Sequence, residues 1–231
     1  MLHVSPARVG GGVEARGASA YARRMKLAIA LMFATYSATA TDLRITIYNQ
    51  AGLKPDVVDA ASDFLKRIFR QSQIAVEVHL GDSTSMEGRL LTYPNPPLPG
   101  QEQRASCEAR RDIALEIRDS PSPGVRFSIL GLAQPLARRG LNVMVFDDRI
   151  RNAALRSNVA YEALLSHAIA HEIGHVLLRT NEHSKYGLMS SRWGAHEYGR
   201  LANGGLLFDR DQSQKIVGTL QGKGCFKEAG L

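Results

Sequence analysis

The chain has 231 residues, 44% hydrophobic and 22% charged, with a formal net charge of +7. That length allows one ordinary domain with a real core, and the composition excludes a fibrous or disordered chain. Five basic residues (Arg8, Arg16, Arg23, Arg24, Lys26) and one acid (Glu14) fall in residues 1–40, so the remainder carries a surplus of only three, too small to argue for a nucleic-acid partner.

Residues 1–40 are expected to be a leader. Arg23, Arg24 and Lys26 form a basic patch, 27–36 is an apolar run too short to span a bilayer, and Ala38-Thr39-Ala40 is a small-residue cleavage site. That order is the layout of a secretory signal peptide at about residues 25–40, placing the mature protein outside the cell or in a periplasm. Met25 is itself a suitable start. No later run is apolar for long enough to cross a membrane, so no stable insertion is expected after leader removal. Residues 41–231 are then read as one domain. Export permits a bridge between Cys107 and Cys225, which make up the whole cysteine complement.

The mature chain opens with a strand at 43–48, where Leu43, Ile45 and Ile47 alternate with polar residues. Pro55 suits the first turn of a helix, and Val57, Val58, Ala61, Phe64, Leu65, Ile68 and Phe69 recur on one face of it. A second strand covers 74–80. Residues 81–111 are expected to be irregular, because four prolines lie between 94 and 99. Strands are predicted at 112–117, 125–130 and 141–146, then a helix at 159–178. A Gly-rich irregular segment leads to a last helix at 209–220, with Asp209 as N-cap and Gln212 completing a capping box. The order strand, helix, strand, strands, helices is that of an α/β (α+β) domain.

Within the 159–178 helix stands His171-Glu172-Ile173-Gly174-His175. Histidines four apart share one helix face and can grip one ion, while the glutamate beside the first acts as general base. Such a catalytic zinc site needs a third protein ligand and an open position for water. His183 and Glu197 are the candidates for that ligand. His167 extends the stripe by one turn, too far for good geometry on one ion, and reads as a wall or core histidine. Gly174 costs about 1 kcal/mol in a helix interior, which suggests close packing against another backbone. Trp193 reads as a packing residue.

The run HEIGHVLLRTNEHSKYGLM resembles the metzincin-type metallopeptidases, whose pattern is H-E-x-x-H-x-x-G-x-x-H followed by a Met-containing turn. It is similar in particular to small secreted bacterial members with HEIGHLLL, HS, GIM and RW in succession. The resemblance implies a metzincin-like twisted mixed sheet with an N-terminal, an active-site and a C-terminal helix. It also implies Zn2+ on His171, His175 and His183, Glu172 as base, and Met189 as the Met-turn residue.

Three departures are visible. The third histidine comes two residues late, Leu178 replaces the helix-ending glycine, and Asn181 occupies the usual third-ligand position. A left-handed Asn181 is the expected means of turning the chain back. His183 is favoured over Glu197 because Gly187-Leu188-Met189 follows it where a Met-turn belongs. The implied activity is hydrolysis of a peptide or protein substrate lying along an edge strand at 125–130 or 141–146. Two other readings accompany it: an inactive zinc-binding protein of the same fold, and a hydrolase of non-peptide amides.

Overall fold

A computed structural model describes residues 41–82, 111–135 and 143–222. The expected leader, both cysteines, most of the proline-rich stretch and residues 141–142 lie outside the described residues. In chain order the elements are β1 (Thr41–Asn49), α1 (Pro55–Arg70), β2 (Ile74–Leu80), β3 (Asp112–Arg118), β4 (Gly131–Ala133), β5 (Val143–Phe146), α2 (Asp147–Ser157), α3 (Tyr161–Leu178), α4 (Ala195–Ala202) and α5 (Arg210–Leu220). This is a mixed α/β architecture around one five-stranded sheet.

The sheet order is β2-β1-β3-β5-β4. The first four strands are parallel, and β4 closes one edge antiparallel to β5. Register stacks the apolar positions in rows: Ile45 opposite Ile113, Ile47 opposite Leu115 opposite Val143, and Ile117 opposite Val145. Leu43, Ile45, Ile113, Leu115, Val143 and Val145 are all at most 2% exposed. They share one face by the two-residue period of a strand and form a core with α1 and α3.

Helix α1 buries Val58, Ala61, Leu65, Ile68 and Phe69, the stripe its sequence spacing marks. Helix α3 is apolar nearly all round and is buried along almost its whole length. It runs between α1, α2 and α5 and across β4 and β5. The Ser166 hydroxyl at its middle donates to the Ala61 carbonyl at 2.8 Å, tying it to α1. The capping box of α5 forms as its sequence indicates: the Asp209 carboxylate accepts from the Gln212 N–H at 2.7 Å, and Gln212 Oε1 accepts from the Asp209 N–H at 3.0 Å.

Three expectations need correction. Residues 125–130 form turns, not a strand, and the strand begins only at Gly131. Their alternating apolar residues serve a different surface: Phe127 is 56% exposed and lies beneath the guanidinium groups of Arg149 and Arg156. Residues 147–157 form a helix, α2. It is mostly polar, and its buried apolar side chains are few, Ile150, Ala153 and Ala154. The Gly-rich segment before α5 also contains a helix, α4, held at its start by Glu197. Among the described residues, no helix is long and apolar enough to cross a membrane.

Candidate metal centre

Helix α3 ends just beyond the two histidines, and the manner of its ending places the third. Arg179 takes the left-handed conformation (φ 56°, ψ 40°). Its N–H donates to the Val176 carbonyl at 3.3 Å, and the Thr180 N–H donates to the His175 carbonyl at 3.2 Å. This pair of bonds is a Schellman closure built without glycine. Asn181 has no positive φ, so the reversal happens two residues earlier than expected, at the position next to Leu178. A non-glycine residue there costs about 1–2 kcal/mol, offset by the two carbonyls it satisfies.

From that turn, residues 180–182 carry the chain back to the helix face. Ser184 then fastens it: its N–H donates to the Met189 carbonyl at 2.9 Å, and it bridges Ser190. Gly187, with φ +83°, makes the tight turn between these partners. His183 is thereby held between the helix end and the 184–190 loop.

The three imidazoles converge. His175 Nε2 lies 3.1 Å from His171 Nε2 and 3.2 Å from His183 Nε2. His171 Nδ1 donates to the Leu188 carbonyl at 2.7 Å, and His175 Nδ1 donates to the Thr180 carbonyl at 2.8 Å. A carbonyl only accepts, so in both neutral rings the proton is on Nδ1 and the Nε2 lone pair faces inward. Lone pairs that approach so closely repel unless a cation stands among them. Zinc–nitrogen bonds of 2.0–2.1 Å in a tetrahedron separate the ligand nitrogens by about 3.3 Å, close to the spacing seen. The donor set therefore fits a zinc ion with a fourth position open. Burial pushes the His171 imidazole down to about 4, so that ring stays neutral and able to ligate in mildly acidic solution, and burial lowers His175 in the same direction.

Glu172 lies beside this cluster on the floor of a cleft of about 650 Å³. Burial pushes its carboxyl up to about 8. Its side chain rests on β4: a β-carbon at Gly131 would stand 2.8 Å from Glu172 Cγ and 2.7 Å from the Met144 carbonyl. Only a glycine admits the glutamate and the neighbouring strand together. A carboxyl group in that position can take and return a proton at the cleft floor.

Met189 is 1% exposed beneath the helix. Its Sδ, with the Phe208 ring, occupies the space a side chain at position 174 would need. Gly174 is thus a close-packing residue, but its neighbours are a thioether and a ring and not a backbone. Trp193 packs half-buried against the core, as its sequence reading holds, and also borders the site. Its indole Nε1 donates to the Leu188 carbonyl at 3.2 Å, the acceptor shared with His171, and its ring lines the cleft edge-on to His171 at 5.8 Å.

Glu197 stands apart from the three histidines. Its carboxylate accepts from the Gly194 N–H at 3.1 Å at the start of α4 and from His196 Nδ1 at 3.2 Å. That main-chain N–H, with His196 behind it, keeps the carboxyl below its ordinary range. His167 is 1% exposed with Nδ1 donating to the Ala163 carbonyl at 2.6 Å, a core histidine. Sequence reasoning missed Gly131, Phe127 and Arg156 as cleft residues. The first two lay in or next to a segment read as plain strand, and the third on a helix that was not seen.

No family model and no curated protein matches the chain. Among solved structures it is similar to an archaemetzincin from Methanopyrus kandleri, 17% identical with a TM-score of 0.48, over 78% of this chain and 97% of that one. It is also similar to a zinc-dependent peptidase from Methanocorpusculum labreanum, 16% identical with a TM-score of 0.47, over 74% and 99%. A third is metalloproteinase-II from Bacteroides fragilis, 14% identical with a TM-score of 0.43, over 80% and 55%. What the centre does follows from its own side chains.

Proposed function

We propose that the protein is an exported, zinc-dependent endopeptidase in which His171, His175 and His183 hold the metal and Glu172 transfers the proton. The observation that carries this reading is the meeting of three imidazole Nε2 atoms, 3.1 and 3.2 Å from His175, in a cleft that also exposes a carboxyl group. Zinc bound there supplies Lewis acidity, lowering the pKa of water and polarising a carbonyl. Glu172 takes the proton from the attacking water and passes it to the leaving amine. Leu188 and Thr180 hold two of the rings in the ligating tautomer.

The substrate lies extended along β4. This strand is the sheet edge beside Glu172, whereas β5 is covered on both sides by β3 and β4. Main-chain pairing to β4 gives affinity, and the side chains around it give selectivity. Its three residues limit that pairing to a short stretch of peptide.

The deciding experiment is a peptide-library digestion, followed by mass spectrometry, with the zinc-loaded protein and its Glu172→Gln variant. The wild type is expected to cut internal bonds. The variant is expected to keep its zinc and to lose about 10²–10⁴-fold in rate. Undiminished cleavage by the variant would remove Glu172 from its role, and no cleavage by the wild type would remove the peptidase reading. Export rests on the layout of residues 25–40 and is tested by finding Thr41 as the first residue of protein recovered outside the cytoplasm.

A further inference from the structure

The cleft has an unbalanced charge. Its described lining includes two arginines, Arg156 and Arg192, and Glu172 is the one carboxylate. Arg156 belongs to α2, where Arg149, Ala153 and Arg156 recur at i, i+4 and i+7 and so share one stripe. That stripe meets the turn ahead of β4. The Arg149 guanidinium stacks on the Phe127 ring at 4.2 Å, and Arg156 approaches the same ring at 5.4 Å.

The other arginines of α2 have carboxylate neighbours. Arg151 Nε donates to Asp147 at 2.8 Å, and Arg149 Nε is 3.5 Å from Asp148. Arg156 has no carboxylate within ion-pair distance among the described residues, and its side chain is exposed at the cleft wall. A guanidinium steadied by an aromatic face, with no acceptor for its donors among the described residues, is arranged to receive a planar anion.

We propose that Arg156, steadied by Phe127, forms a subsite for a carboxylate, so that the cleft selects peptides bearing an acidic group on the β4 side of the metal centre. The inference rests on the peptidase reading for the kind of ligand but not on turnover. An Asp or Glu side chain and a free C-terminus offer the same chemistry, and the experiment separates them.

Trp193 is the sole tryptophan of the chain and lines the same cleft, so its fluorescence reports occupancy. Zinc-loaded Glu172→Gln protein is titrated with N-acetylated hexapeptides. These carry Glu or Gln at successive positions, each with an amidated or a free C-terminus. The acidic peptide of one pair is expected to bind about fivefold more tightly, the scale of an exposed ion pair. The preference shrinks in high salt. Arg156→Gln, checked for unchanged circular dichroism and zinc content, is expected to abolish it, and Arg156→Lys to restore part of it. If the preference appears only with a free C-terminus, the subsite reads the chain end; if amidated peptides keep it, the subsite reads a side chain.

Equal binding within every pair, no binding of any peptide, or a preference that survives Arg156→Gln overturns the assignment. Acid-selective binding without cleavage by the wild type would sink the peptidase reading and leave the subsite standing. Cleavage blind to acidic residues would do the reverse.

Discussion

A β-carbon on Gly174 would stand 2.5 Å from Met189 Sδ, so helix α3 and the 187–190 turn touch at a point with no spare volume. The same β-carbon would lie 2.8 Å from the Phe208 ring. Gly174→Ala gains about 1 kcal/mol of helix propensity but overpacks the core, at a cost of about 1–3 kcal/mol. The expected net loss is about 1 kcal/mol by urea denaturation. Because Leu188 and Met189 brace His171 and Ser184, zinc affinity is expected to fall with it. A variant more stable than the wild type would contradict the packing described.

The third ligand is decided by two substitutions. His183→Ala removes one of the converging nitrogens, and its zinc content after dialysis is expected to drop well below one equivalent. Glu197→Gln changes a carboxylate occupied at the start of α4 and is expected to leave zinc content unchanged, with little change in stability, because a Gln side chain at this position still accepts from the Gly194 N–H as Gln212 does in α5. Atomic absorption on both proteins distinguishes the roles.

Gly131→Ala tests the seat of Glu172, the proposed base. The added methyl meets the Met144 carbonyl, which cannot move without β5, and so the Glu172 side chain must give way. Activity is expected to fall at least about tenfold, since small displacements of catalytic groups cost rates of this order. Zinc content stays at the wild-type value. Loss of metal in this variant would place Gly131 in the ligand framework instead.

Acid sensitivity of the metal-free protein follows from its buried histidines. Burial holds His167 below the ordinary imidazole value of 6.5. Above that pH both the folded and the unfolded chain carry a neutral ring, and the contribution to stability is complete. Below it the unfolded chain takes up the proton first, and stability drains away as the pH falls toward the folded value. His171 and His175, also lowered, act in the same direction. Melting temperatures in chelator are expected to fall between pH 7.5 and pH 5, and to fall less in His167→Gln. An identical drop in both proteins would show that His167 does not contribute.

Much of this architecture was legible where one period dominates. The alternation in β1 and β2, the single apolar stripe of α1 and the Asp209–Gln212 pair each signal one local structure, and that structure is present. Helix α2 was not legible, because a helix that buries two alanines and one isoleucine presents almost no periodic signal. The turns at 125–130 misled for the opposite reason. Their alternating apolar residues look like half a strand, yet Phe127 is directed to two guanidinium groups and not to the sheet. At the candidate metal centre, the shared face of His171 and His175, with Glu172 beside them, follows from helical spacing alone. The route to His183 does not, since the left-handed residue is Arg179, a type that seldom adopts that conformation.

That left-handed arginine has one more effect. It leaves Thr180 gripped at both ends by one residue, its amide on the His175 carbonyl and its carbonyl on the His175 ring. The last turn of α3 therefore cannot fray while the ring keeps its orientation, nor can the ring swing while the turn is intact. Release of an ion held on His175 would therefore be tied to opening of the helix end, and such a cation would act as a clasp on the very segment that presents it.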